Sequence, residues 1–108
     1  MNLSEYEEFT KSVSIYPGAN TGNVLALAYT ALGLVGESGE YSEKIKKLIR
    51  DGKLDNELAM LELGDVLFYL TRSAVELGFS LEEVVQRNID KLTSRQQRGV
   101  IQGSGDSR

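Results

Sequence analysis

The chain has 108 residues, 41% of them hydrophobic, and its 16 acidic and 12 basic side chains give a formal charge of -4. That length supports one compact domain, small enough that self-association is an expected source of further burial. The acidic balance argues against a protein that grips a nucleic-acid backbone, which draws on a basic surplus. With no cysteine and no histidine, disulfides, thiolate chemistry, imidazole bases and the usual zinc or iron ligand sets are all excluded. Any metal must be held by oxygen, which suits hard divalent cations such as Mg²⁺ or Mn²⁺.

Ser4-Glu5-Tyr6-Glu7 matches a capping box, and Tyr6, Phe9 and Val13 then mark one apolar stripe. A first helix is therefore predicted from Ser4 to about Tyr16. The acidic start does not read as a secretion signal, and no apolar run is long enough to span a membrane. A soluble, cytoplasmic protein without a membrane partner is expected. Pro17-Gly18-Ala19-Asn20-Thr21-Gly22 combines a fixed φ with turn-forming residues and reads as a loop.

From Asn23 to Arg50 the residues Leu25, Ala28, Leu32, Val35, Ile45 and Leu48 recur at helical spacing, with Asp51-Gly52 as the stop. This second helix contains Gly33, Gly36 and Gly39, each unfavourable by about 1 kcal/mol relative to alanine. Either the helix breaks near Gly36, or another backbone approaches this strip too closely for side chains. The unbroken apolar period favours close approach, and Gly64 repeats the pattern on the next helix.

A third helix is predicted from an N-cap at Asp55 or Asn56 through Leu58, Leu61, Leu67 and Leu70 to Leu77, ended by Gly78. Ser80-Leu81-Glu82-Glu83 is a second capping box and opens a fourth helix to about Gln97, with Val84, Val85, Ile89 and Leu92 as its buried side. There is no strand pattern and no repeat, so the expected fold is all-α, a four-helix bundle with short connections spanning residues 1–98. Residues 99–108, rich in Gly and Ser, form a C-terminal tail read as either flexible or folded over a site.

Glu37-x-x-Glu40 and Glu62-x-x-Asp65 each place two carboxylates on one helix face, one turn apart. Most helical acids are simply solvated. These differ because Leu34, Val35, Leu61, Leu63, Val66 and Leu67 flank them, and burying unpaired carboxylates is costly. If the two helices pack together, the four acids share one space, and each pair about 5 Å apart repels by roughly 3 kcal/mol at an effective dielectric near 20. A bound cation resolves that repulsion.

Lys44 and Lys47 continue the acidic face toward the end of the second helix, while Asn88, Lys91 and Arg95 form a polar stripe on the fourth. These are either ordinary solvated surface or donors for phosphate oxygens. Tyr69 follows Asp65 by four and Phe68 by three. Each is either core or a platform on which a base packs.

Gly33-Leu34-Val35-Gly36-Glu37-Ser38-Gly39-Glu40, Glu62-Leu63-Gly64-Asp65-Val66-Leu67-Phe68-Tyr69-Leu70 and Asn88-Ile89-Asp90-Lys91-Leu92 with Arg95 resemble the MazG-like nucleoside triphosphate pyrophosphohydrolases. The family pattern is Glu-Glu-x-x-Glu followed by Glu-x-x-Asp, and Gly36 replaces its first glutamate. The resemblance implies an all-α enzyme that cleaves nucleoside triphosphates to the monophosphate and pyrophosphate, with Mg²⁺ at Glu37, Glu40, Glu62 and Asp65. It further implies Glu37 or Glu40 as general base, Lys44, Lys47, Tyr69, Asn88, Lys91 and Arg95 as substrate contacts, and a homodimer or dimer of dimers. The rival readings are a phosphoribosyl-ATP pyrophosphohydrolase and a helical interaction module with a structural ion.

Overall fold

The computed structural model describes residues 1–108. It contains four α-helices and no strand: α1 Leu3–Val13, α2 Val24–Asp51, α3 Asn56–Glu76 and α4 Leu81–Gln97. Local chemistry sets most of the ends. The Asn23 side chain accepts from Ala26 N, Asp55 accepts from Glu57 N and Leu58 N, and Ser80 forms the capping box with Glu83. Gly52 at φ 73° and Gly78 at φ 93° take the left-handed conformation that releases the chain after α2 and α3.

The start of α1 differs from expectation. Its N-cap is Asn2, whose side chain accepts from Glu5 N at 2.8 Å. Glu7 instead accepts from Leu81 N at 2.7 Å, so it satisfies a free amide at the start of α4. The capping partner is thus tertiary and not local. The helix also ends at Val13, short of Tyr16, because Tyr16 turns inward to join a buried polar cluster.

That cluster ties the α1–α2 loop to α3. Arg72, fully buried, donates to Tyr16 Oη at 3.1 Å, to Thr10 Oγ1 at 3.3 Å and to Asn20 Oδ1, and it pairs with Glu76 at 3.7 Å. Glu76 in turn accepts from the Tyr16 hydroxyl, from Asn20 N at 2.8 Å and from Gly22 N at 2.9 Å. Every charge in the group has several partners, which is the condition for tolerating it inside a protein.

The four helices are arranged around α3 and do not close into a square. α2 packs along α3 alone, while α1 and α4 pack on α3 and on each other. Small buried residues, Ala26 and Thr30 on α2 with Ala59, Thr71 and Ala74 on α3, line these contacts. The radius of gyration is 16.3 Å, against about 13 Å for a compact domain of this length.

The apolar stripes are consequently left largely uncovered. Leu32 and Val35 on α2 are 72% and 71% exposed, and Leu61 on α3 is 60% exposed. On α4 the expected buried side, Val84, Val85, Ile89 and Leu92, is exposed in a single chain, and only Leu81 and Arg95 are buried. The helical period is present, but it marks a face that α3 alone cannot cover.

Neither explanation of the glycine strip holds in full. α2 runs unbroken through Gly36. Only Gly33 is closely approached, and by a side chain: a Cβ there would stand 2.4 Å from Cε1 of Tyr69, whereas Gly36, Gly39 and Gly64 face open space.

After α4 the chain turns back on itself. Val100 N donates to Arg95 O at 2.9 Å, Arg108 Nε donates to Val100 O at 2.9 Å, and Lys91 and Arg95 pair with Asp106. No helix is long and apolar enough to cross a membrane.

Candidate metal centre

The side-by-side packing of α2 and α3 brings Glu37, Glu62 and Asp65 together, each offering a carboxylate oxygen within 4.8 Å of the others. Octahedral Mg²⁺ at about 2.1 Å holds neighbouring oxygens about 3 Å apart and opposite ones about 4.2 Å apart. Small side-chain rotations therefore span the difference, and an all-oxygen donor set suits a hard divalent ion. At an effective dielectric near 20, each pair in the trio repels by roughly 3 kcal/mol.

The strain shows on Glu37. Burial raises its carboxyl above the usual range, and Asp65, Glu62 and Glu40 add to the rise by repulsion. Glu40 lies close enough to act on Glu37 but stands outside the convergent trio. Lys44 partly offsets the charge, with Nζ 3.7 Å from Glu62.

The apolar surroundings read from the sequence do not bury the acids within one chain. Asp65 and Glu40 are exposed, as are Val35, Leu61, Leu63 and Leu67 beside them. What forces the acids together is helix packing and not enclosure.

Two hollows are each lined by a residue that interacts with the trio, Lys44 in one and Tyr69 in the other. Lys44 and Lys47 line a small cleft at the α2–α3 turn together with Lys53 and Asp55. Lys53 was not among the sequence candidates, and its place in the connecting turn gave no periodic signal. On the other side Tyr69 connects the acids to a cavity of about 290 Å³ lined by Ile15, Tyr16, Pro17, Tyr29 and Phe68. Burial raises the Tyr69 hydroxyl pKa, with Tyr29, Glu37 and Asp65 contributing. Tyr16 and Tyr29 stack with centroids 5.4 Å apart, which joins the loop to α2.

Tyr6, read only as part of an apolar stripe, also stands at the edge of the centre. Burial raises its hydroxyl pKa and the charge of Asp65 raises it further. Arg72 and Glu76 were likewise missed as a pair, although a signal existed. They are the only charged residues between Asp65 and Gly78, opposite in sign and four apart, the pattern of a paired ion within an apolar helix.

Asn88, Lys91 and Arg95 sit on α4, which packs on α3 but makes no contact with α2, the helix that carries Glu37 and Glu40. Asn88 borders an apolar groove between α3 and α4 with Leu67 and Leu70. Lys91 and Arg95 face the tail.

The chain is all-helical, and two packed helices bring together three carboxylates that could hold a metal ion. The profile described as the MazG nucleotide pyrophosphohydrolase domain matches residues 27–100, and the chain belongs to that family. It is also similar to the Gene 37 protein of Mycobacterium phage L5, 44% identical over 114 residues that cover the whole of both chains. No solved structure matches it.

Proposed function

We propose that this protein hydrolyses (deoxy)nucleoside triphosphates between the α and β phosphates, releasing a nucleoside monophosphate and pyrophosphate. The convergence of Glu37, Glu62 and Asp65 in a chain of this family carries the reading. Bound there with Glu40 alongside, Mg²⁺, or Mn²⁺ in its place, would neutralise the carboxylates and the triphosphate together and acidify water.

The residues of the chain divide the remaining work. Water adds to the α phosphorus, the bond to the bridging oxygen breaks, and a carboxylate takes the proton. Glu37 and Glu40 are the candidate bases. Lys44, Lys47 and Lys53 line a cleft suited to the charge on the departing pyrophosphate. The aromatic cavity beside Tyr69 offers stacking surface to a base.

Asn88, Lys91 and Arg95 would meet a substrate seated on the acids from a second copy of the chain. A homodimer or dimer of dimers fits the uncovered stripes of α2, α3 and α4.

The test is to incubate the protein and Glu62→Gln with Mg²⁺ and a panel of triphosphates, with phosphoribosyl-ATP in parallel. Pyrophosphate from at least one nucleoside triphosphate, lost in Glu62→Gln, is expected. Orthophosphate as first product, or turnover of phosphoribosyl-ATP alone, would overturn the assignment. No turnover at all would leave the helical interaction module.

A further inference from the structure

Arg95 lies near the end of α4, 5% exposed, and its Nε is buried without a hydrogen-bond partner. All three acceptors of its Nη2 come from the tail: Asp106 Oδ1 at 3.0 Å, Asp106 O at 3.2 Å and Gly105 O at 3.5 Å. Lys91 Nζ reaches the same Asp106 oxygen at 3.2 Å. Asp106 itself is 87% exposed.

We propose that Asp106 occupies the Lys91–Arg95 pair as the chain's own stand-in for a phosphate group, and that pyrophosphate or the triphosphate chain displaces it. This rests on the reading that the substrate carries a phosphate chain. The Nε–Nη2 edge of a guanidinium binds two oxygens in parallel, the geometry that makes arginine a phosphate receptor. Asp106 engages only the Nη2 half of that edge and leaves Nε unsatisfied. A phosphate group, with three oxygens and greater charge, can fill both.

The tail is shaped to deliver this carboxylate. Gly105 adopts φ 82°, and a Cβ on Gly103 would stand 2.7 Å from Cδ of Arg108. Arg108 donates to Val100 O at 2.9 Å and Ile101 O at 3.0 Å, closing the turn that presents Asp106. Because the carboxylate is on the outside, it can leave without opening the core. Arg95 and Lys91 hold the Asp106 carboxyl below the usual range, so it is charged at neutral pH and competes as an anion.

The experiment measures binding of inorganic pyrophosphate by calorimetry to the full chain and to Asp106→Asn. Releasing an internal competitor that holds the pair most of the time should tighten binding roughly three- to tenfold. The gain should vanish when Lys91→Gln is added. Asp90→Asn, on the same helix where Asp90 accepts from Gln86, removes the same charge and should change affinity less than about twofold. Unchanged or weaker binding in Asp106→Asn, or an equal gain in Asp90→Asn, overturns the proposal and makes the tail a structural strap. A gain in Asp106→Asn without hydrolysis by the parent protein leaves the displacement standing and removes the activity. Hydrolysis without that gain does the reverse.

Discussion

The ring of Tyr69 on α3 fills the space that a side chain at residue 33 of α2 would need, with Cε1 2.4 Å from where a Cβ would stand. This contact sets how closely the two acid-bearing helices meet, and it joins the acids to the aromatic cavity. Gly33→Ala would gain about 1 kcal/mol in helix propensity. Overpacking against the ring should exceed that, at about 1–3 kcal/mol. A lower melting temperature is expected, relieved by adding Tyr69→Ala but not Tyr69→Phe, which keeps the clashing ring. An unchanged melt for Gly33→Ala would show that the helices can part freely.

The three convergent carboxylates should not be equivalent to the fourth. Glu37→Gln and Asp65→Asn should each lower Mg²⁺-supported hydrolysis more than about a hundredfold, beyond what loss of an outer-shell group costs. Glu40→Gln, outside the trio, should cost less, the outcome expected with Glu37 as the base, whereas an equal loss would make Glu40 the base. Steady-state rates across a Mg²⁺ titration separate the two cases. In chelator, Glu37→Gln should melt higher than the parent, because one repelling charge is gone.

Arg72 and Glu76 should govern stability. Arg72→Met strands Glu76 inside the protein, and breaking such a buried pair costs about 3–5 kcal/mol. For a domain of this size that lowers the melting temperature by more than about 10 °C. Circular dichroism melts measure it directly.

Glu76 also predicts a pH dependence. Burial pushes its carboxyl up, but the Tyr16 hydroxyl, the amides of Asn20 and Gly22 and the Arg72 guanidinium together hold it below the ordinary value of 4.5. A group depressed on folding stabilises fully above its unfolded pKa. Its contribution falls as pH drops from 4.5 through the folded value. Melts between neutral pH and pH about 3 should show that loss. Glu76→Gln, already destabilised at neutral pH, should lose less over the same window.

The uncovered stripe on α2 predicts association. Sedimentation should report a dimer or larger species, and Val35→Asp, which puts a charge on that stripe, should shift it toward monomer. A monomeric parent at micromolar concentration would remove the oligomer from the proposal. Loss of hydrolysis together with the dimer would support sites completed by a second copy.

The helices and most of their ends were legible in the sequence because caps, left-handed glycines and apolar periods act within a few residues. Asn23, Asp55, Gly78 and Ser80 do in the structure what their positions imply. The three-residue spacing likewise placed Glu37 with Glu40, and Glu62 with Asp65, on shared faces. A periodic pattern names a face but not what lies opposite it. Only the packing of α2 on α3 selected Glu37, Glu62 and Asp65 and left Glu40 aside. Only the tertiary fold gave Gly33 the Tyr69 ring, sent Glu7 to α4, buried Arg72 and set Asp106 on Arg95. Those contacts join residues distant along the chain, so they depend on how whole helices dock, which no local propensity encodes.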